Sequence, residues 1–282
     1  MSKALLTLVE KLEQDRSLRM PRNIRQRSQG LDELEACLAV DQLNGTALHQ
    51  RATSISTELE SINFRLYESI RREIQRGACR EILIEWLPDW NDPATFANLG
   101  YDYLDELVGG ILQLEEPSPG VAPLESEMVA YQPTPARHIF DFINRAALIE
   151  QDSLIDLGAG LGQVTLITSI CCKARCTGIE LEPSYVESAS KSAQSLKLNK
   201  ASFIQGDVRR AALAEGTVFY LYTPFLGTIL RDVLDSLRQE AACRKIRLAT
   251  FGPCTPIVAA EHWLNINGPL IADRIALFDS RA

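Results

Sequence analysis

The chain has 282 residues, 46% of them apolar, and a formal net charge of −8. This length allows one large or two modest domains, and the apolar fraction excludes a disordered chain. No apolar run approaches the ~20 residues of a membrane helix. No secretion signal opens the chain, and seven cysteines without paired spacing point to a reducing cytoplasm and not to a disulfide framework.

Residues 1–125 hold 13 Lys and Arg against 21 Asp and Glu, whereas residues 126–282 hold 16 of each. The negative excess therefore lies entirely in the first part. A protein that grips a nucleic-acid backbone usually carries a large basic surplus. The nearest approach is Arg16, Arg19, Arg22, Arg25 and Arg27, with a smaller group at Arg71, Arg72, Arg76 and Arg80. Both are read as solvated basic edges, which places nucleic acid behind other partners.

The first part reads as helices. Ser2 is placed to cap Lys3 to Gln14, with Leu5, Leu8, Val9 and Leu12 on one face. The strongest pattern runs from about Ser54 to Arg76, where Ile55, Leu59, Ile62, Leu66, Ile70 and Ile74 form one apolar stripe ended by Gly77. A further helix is predicted from Thr95, with Phe96, Leu99, Tyr103, Leu107, Ile111 and Leu114 inward and Gly109-Gly110 loosening its end. Glu115-Glu116-Pro117-Ser118-Pro119-Gly120 then breaks regular structure, so the expected domains are 1–122 and 123–282.

From Tyr131 onward helices and strands alternate, the pattern of a mostly parallel sheet covered by helices. Tyr131-Gln132-Pro133-Thr134-Pro135 leads into a helix from Ala136 to Asn144. Strands are expected within 154–157, 174–179, 201–208 (ending in Asp207), 217–225 (ending in an aromatic, Pro-containing loop) and 246–251, with a long helix from Leu226 to Ala242 and a terminal pair near His262 to Ile266 and Arg274 to Phe278.

The most informative stretch is Leu154-Ile155-Asp156-Leu157-Gly158-Ala159-Gly160-Leu161-Gly162-Gln163-Val164. Apolar run, glycine turn and second apolar run read as strand, tight loop and helix. Glycines allow a backbone that a ligand approaches closely. The dinucleotide fingerprint G-x-G-x-x-G requires glycine at 163, where this chain has Gln. Glu180 ends the second strand 24 residues after Asp156, where an acid can accept from both ribose hydroxyls. Asp207 and Val208 follow the third strand, and Tyr222-Thr223-Pro224-Phe225 follows the fourth.

The D-x-G-x-G-x-G loop and the strand ends after it resemble the class I S-adenosylmethionine (SAM) methyltransferases. The resemblance covers about residues 131–282. It implies α/β architecture with a seven-stranded Rossmann-like sheet ending in an antiparallel hairpin, here behind an all-helical N-terminal domain. It also implies SAM as cofactor. Asp156, Gly158, Gly160, Gly162 and Gln163 would form the methionine and ribose loop, with Glu180 on the ribose. Asp207 would accept from the adenine amino group, and Val208 would cover the ring. Tyr131 and Thr134 would lie beside the methionine end. Thr134 either binds the methionine carboxylate or simply caps the following helix.

Tyr222, Thr223, Pro224 and Phe225 form the expected acceptor pocket. Enzymes that methylate adenine or glutamine carry Asn or Asp where this chain has Thr223, which argues against those acceptors. Tyr222 is a candidate catalytic residue, as an orienting or acid–base group or as a pocket wall. Gln163-Val164 after the last glycine also resembles motif I of the non-SET histone-lysine methyltransferases. Their Asn-Asn-Phe run is absent, so that likeness spans about ten residues and names no histone substrate. From 216 onward, Tyr-Thr-Pro-Phe and Phe251-Gly252-Pro253-Cys254-Thr255-Pro256 are similar to uncharacterised bacterial methyltransferases.

Cys171, Cys172 and Cys176 lack metal-site spacing and a nearby histidine, so they are read as packing residues, with no metal expected. His138 borders the lead-in segment and is read as packing or surface. The expected activity is SAM-dependent methyl transfer to a protein side chain or small molecule. The alternatives are a non-catalytic SAM-binding module and an RNA methyltransferase.

Overall fold

The computed structural model describes residues 2–40, 45–78, 81–89, 100–115 and 126–281. They fall into two compact units, Met1–Glu73 with Tyr101–Ile111, and Ile74–Gly100 with Leu112–Ala282. The expected boundary near 122 lies outside the described residues, as do Thr95, Phe96 and Leu99 of the expected third helix.

The first unit is helical, with α1 (Ser2–Gln14), α2 (Ile24–Val40), most of α3 (Ala47–Gln75) and most of α5 (Tyr103–Leu112). Leu5, Val9 and Leu12 of α1 meet Leu34 of α2 and Ile55 and Leu59 of α3 in one core. All six residues of the apolar stripe on α3 are buried. Gly77 takes φ +92° just beyond the helix, where its N–H donates to the Ile74 carbonyl at 2.9 Å.

Arg16, Arg22 and Arg25 are exposed, as a solvated edge requires, but the end of the run departs from that expectation. Arg27 is fully buried and donates to Asn63 Oδ1 at 2.6 Å, to the carbonyls of Leu18 at 2.9 Å and Met20 at 2.6 Å, and to that of Pro21 at 3.0 Å. Arg19 pairs with Glu58 at 2.9 Å. Arg71 is also buried and donates to the Ile111 carbonyl. A guanidinium supplies several donors in a fixed fork, and that of Arg27 reaches carbonyls of the turns before α2, of which Met20's also accepts from the Asn23 N–H at 3.0 Å.

The second unit begins with α4 (Glu81–Ile84) and then alternates helix and strand. The elements are α6 (Ala136–Ala146), β1 (Ser153–Leu157), α7 (Gln163–Cys171), β2 (Arg175–Glu180), α8 (Pro183–Ser195), β3 (Ala201–Gln205) and β4 (Val218–Leu221). They are followed by α9 (Gly227–Cys243), β5 (Arg247–Thr250), α10 (Thr255–Ala259), β6 (Leu264–Asn267) and β7 (Ala276–Ser280). The seven strands form one sheet ordered β3-β2-β1-β4-β5-β7-β6. The first five are mutually parallel, and β7 runs antiparallel to both β5 and β6.

Every residue of β1 and β4 is buried, as two-sided helical cover requires of central parallel strands. Ile155, Phe219, Leu221, Leu230, Leu234 and Phe278 belong to a core between sheet and helices. The chain leaves β1 toward β2 and β3 and then crosses back to β4. The switch point, where open α/β sheets leave a crevice, therefore lies between the carboxyl ends of β1 and β4. Among the described residues no helix is long and apolar enough to cross a membrane.

Candidate functional site

The glycine loop fills the turn from β1 to α7. Gly158, Gly160 and Gly162 have φ of +79°, +54° and +76°, values that side chains rarely adopt. A Cβ on Gly158 would lie 2.3 Å from the Pro224 ring, one on Gly160 2.2 Å from the Tyr131 ring, and one on Gly162 2.3 Å from the Phe203 ring. The glycines therefore let three side chains close around the loop, two of them among the predicted site residues. Gly162 is the N-cap of α7 and Gln163 its first residue.

Asp156 sits in register between Gly178 of β2 and Tyr220 of β4. Its carboxyl is only 3% exposed and accepts from Thr165 Oγ1 at 3.0 Å. Burial pushes it up to about 7, and the nearby Glu180 charge adds to that rise. Glu180 accepts at Oε2 from the Gly160 N–H at 2.7 Å, and at Oε1 from the N–H groups of Leu181 at 2.7 Å and Glu182 at 2.9 Å. The acid 24 residues beyond Asp156 thus reaches back to the glycine loop. Asp207 caps the turn after β3 through the Arg209 N–H at 2.9 Å and pairs with the Arg209 guanidinium at 2.6 Å, and the Arg209 pairing holds its carboxyl below its ordinary value. Val208 packs at the edge of the core.

The lead-in segment pairs with the loop after β4. Met128 bridges Phe225, the Val129 N–H donates to the Pro224 carbonyl at 3.0 Å, and the Leu226 N–H donates to the Glu127 carbonyl at 2.8 Å. Glu127 also accepts from the Thr228 N–H and hydroxyl, each at 2.7 Å, and from the Ile229 N–H at 3.1 Å, so it caps the start of α9. Thr134 is buried and does not cap α6, whose N-cap is Pro135; its hydroxyl meets that of Tyr220 at 3.0 Å. Burial raises the Tyr220 phenol well above its ordinary value.

Thr223 holds φ +40° and turns its hydroxyl to the backbone. It donates to the Phe251 carbonyl at 2.7 Å and accepts from the Cys254 N–H at 3.1 Å. It therefore ties the loop after β4 to the loop after β5. The Tyr222 ring lies 4.7 Å from that of Phe251, and His138 packs on the same ring at 4.7 Å.

These elements enclose a cavity of about 1040 Å³. Its lining brings together Tyr131, Thr134, Asp156, Gly158, Gly160, Gln163, Glu180, Asp207, Val208, Tyr222, Thr223, Pro224 and Phe225; Gly162 lies behind it, against Phe203. Sequence reasoning missed Tyr185, whose ring is 5.3 Å from Tyr131, and also Tyr220, Phe251 and Asp273. Tyr220 and Phe251 end or follow predicted strands, a signal that could have found them. Asp273 carries none. Among the described residues the lining includes five acids, Asp156, Glu180, Glu182, Asp207 and Asp273, and no Lys, Arg or His.

Cys176 and Cys171 are buried, with burial pushing the Cys176 thiol up. No group of three metal-ligating side chains converges among the described residues.

A family model described as "Histone methylation protein DOT1" matches residues 126–267, half of the chain. The chain belongs to this DOT1 family. It is a SAM-dependent methyltransferase. No curated protein matches. Among solved structures, the DOT1-family chain is similar to an RNA methyltransferase from Salinibacter ruber in complex with S-adenosyl-L-homocysteine, at 23% identity and a TM-score of 0.43. That match covers 53% of this chain and 92% of the other. It is also similar to a putative RNA methyltransferase from Pyrococcus horikoshii, at 14% identity and a TM-score of 0.45, covering 63% of this chain and 97% of that one.

The cavity fits SAM on its own geometry. Three positive-φ glycines keep the loop free of Cβ atoms, an acid ends β2, and the acidic lining suits a cationic cofactor.

Proposed function

We propose that this methyltransferase acts on an amine nitrogen of a protein side chain. The observation that carries the reading is the charge of the cavity, whose lining among the described residues includes five acids and no basic side chain. Such a lining attracts cations and repels the phosphates of a nucleic acid. The family description, which names histone methylation, supports a protein acceptor.

In this reading Glu180 holds the ribose and Gly158, Gly160 and Gln163 border the methionine. Asp207 and Val208 would flank the adenine, and Asp156 would offer its carboxyl to the cationic part of the cofactor. Tyr131 and Thr134 line the methionine end. Tyr222, Pro224 and Phe225 form the acceptor wall, and Thr223 sets its shape.

Bound SAM supplies a methyl carbon on a sulfonium, already activated for in-line displacement. Glu180, Gly158, Gly160 and Gln163 would hold that cofactor, and its methyl would pass to the lone pair of an acceptor amine with the sulfonium leaving as a neutral thioether. The proton shed by the acceptor nitrogen passes to water. The protein chiefly supplies proximity and orientation, which contribute up to ~7–11 kcal/mol in favourable cases.

The test is transfer of labelled methyl from SAM into a bacterial extract, with protein, RNA and small molecules separated afterwards. Methylated lysine or arginine in the protein hydrolysate is the expected result. Label that nuclease removes would make this an RNA methyltransferase. Tight SAM binding with no transfer to any fraction would make it a non-catalytic module.

A further inference from the structure

Asp273 differs from the other acids of the cavity. Asp156, Glu180, Glu182 and Asp207 lie at or just beyond the ends of β1, β2 and β3, and each accepts hydrogen bonds, from Thr165, Gly160, Ser184 and Arg209 in turn. Asp273 comes from the loop before β7, on the other side of the switch point. It is exposed, lines the cavity and has no ion-pair partner among the described residues.

Its backbone is nonetheless fixed. Asp273 has φ +58°, a conformation that Asp and Asn adopt more readily than most residues. The next residue, Arg274, donates to both oxygens of Asp141, at 2.8 and 2.6 Å. Asp141 is buried in α6 and also accepts from Arg145 at 2.9 Å, while Arg145 donates to the Ile275 carbonyl at 2.6 Å. Both residues after Asp273 are thus tied to α6. A carboxylate with no ion-pair partner among the described residues, on a loop held by ion pairs to the buried Asp141, is arranged to meet something from outside the chain.

The neighbouring wall has the matching chemistry. Thr250 of β5 stands opposite Ala276 of β7, so Phe251, Gly252 and Pro253 flank the same end of the sheet as Asp273, and all four line the cavity. The Tyr222 ring packs on Phe251 with the planes 36° apart. Aromatic faces and a carboxylate together recognise organic cations.

We infer that Asp273 and the Tyr222–Phe251 ring pair form a subsite that captures the acceptor as an alkylammonium ion. The inference rests on the amine reading above and adds the group that reads the charge. A carboxylate favours the protonated nitrogen, so Asp273 captures the cation and does not remove its proton. That proton passes to water before transfer, and the free amine then attacks.

The test uses the full chain loaded with S-adenosylhomocysteine, titrated in a calorimeter with butylammonium and, separately, with 1-butanol. Wild type is expected to bind the ammonium at least tenfold more tightly than the alcohol. D273N and D273G, both compatible with positive φ, are expected to bring that ratio close to one while S-adenosylhomocysteine affinity stays unchanged. The unchanged affinity reports an intact fold, and two variants guard against one of them misfolding. A ratio that stays near tenfold in both variants, or no ammonium preference in wild type, overturns the subsite. Extract labelling separates the two failures. Label on protein amines with an unchanged D273N ratio removes only the subsite, whereas label confined to RNA removes the amine reading itself.

Discussion

Gly160 donates its backbone N–H to Glu180 Oε2 at 2.7 Å, joining the glycine loop to the end of the second strand. Oε1 meanwhile accepts from the N–H groups of Leu181 and Glu182. The acid proposed to hold the ribose therefore also holds the loop beside it. Glu180→Ala should weaken SAM binding by roughly 1.5–3 kcal/mol, the scale of hydrogen bonds to a charged group. It should also lower the melting temperature of the cofactor-free protein. A ribose ligand with no structural role would change only the first quantity. Glu180→Gln, which retains acceptors for part of the set, should fall between. Calorimetry and a melting curve separate these outcomes.

Asp156 sets a pH dependence. Its carboxyl is pushed from an ordinary 3.8 up to about 7, so between those values the folded protein holds a proton that the unfolded chain has released. Stability present below pH ~4 is therefore lost as pH rises toward 7, and the curve flattens above that. The gap corresponds to roughly 4 kcal/mol at most. Asp156→Asn should remove most of the slope, as read by urea unfolding from pH 4.5 to 8. SAM affinity of the wild type should rise with pH through the same window, because a cationic cofactor favours the ionised carboxylate. An Asp156→Asn protein with the wild-type slope would assign the titration to another group.

Much of the proposed cofactor half could be placed from sequence because its signals are local. Asp156, the glycines and Glu180 lie at strand ends that apolar runs mark out, and spacing alone put them on one edge. The proposed acceptor half was less legible because its key contacts join distant segments. Thr223 reads as a substrate-facing hydroxyl until Phe251 and Cys254 are found on it. Thr134 reads as a helix cap until it meets Tyr220. Asp273 sits in a polar loop that no periodicity marks, and its place depends on Asp141, which is 132 positions earlier in the chain. Arg27 misled in the opposite sense. A run of arginines has the composition of a surface, and the acceptors that explain why one of them is inside, Asn63 Oδ1 and the carbonyls of Leu18, Met20 and Pro21, appear only in the fold.

Arg27→Ala should destabilise the first unit sharply. It would strip this donor from Asn63 Oδ1 and the Leu18 and Pro21 carbonyls, while the Met20 carbonyl would keep the Asn23 N–H. Unmet buried groups typically cost ~1–3 kcal/mol each, and relaxation and water entry reduce the total, so a loss of about 3 kcal/mol or more is expected. Arg27→Lys should recover only part, because an ammonium cannot span the fork. Limited proteolysis within residues 1–73 should report the change. Unaltered protease resistance in Arg27→Ala would show that those carbonyls find other donors.

Glu127 links the lead-in segment to α9 and so controls the loop that carries Tyr222 and Phe225. Glu127→Ala removes the acceptor of two N–H groups and of the Thr228 hydroxyl. The loop should drift relative to the glycine turn, lowering kcat by roughly tenfold to a hundredfold, as small misplacements of reacting groups do. SAM affinity should change little, since no proposed cofactor contact is lost. The Thr228 and Ile229 donors hold the carboxyl below its ordinary value, so the cap persists at neutral pH and is lost only as acid protonates it. Equal losses in kcat and SAM affinity would instead place Glu127 among the cofactor contacts.

Tyr222 is the last group whose role divides the readings of the acceptor wall. Its ring packs 4.7 Å from Phe251, next to a Thr223 whose backbone is held at φ +40° by bonds to two loops. That support is what a wall requires. An acid–base role would also require its hydroxyl to lose a proton near neutral pH, and amine methylation does not demand it, because water can take the proton. Tyr222→Phe, which keeps the ring and removes only the hydroxyl, should therefore retain a rate within a few-fold of wild type with an unchanged pH profile. Tyr222→Ala, which removes the ring, should lose far more activity than cofactor affinity. A fall of ~100-fold or more in Tyr222→Phe, with a lost limb in the pH–rate curve, would make the hydroxyl an acid–base group and Tyr222 a catalytic residue.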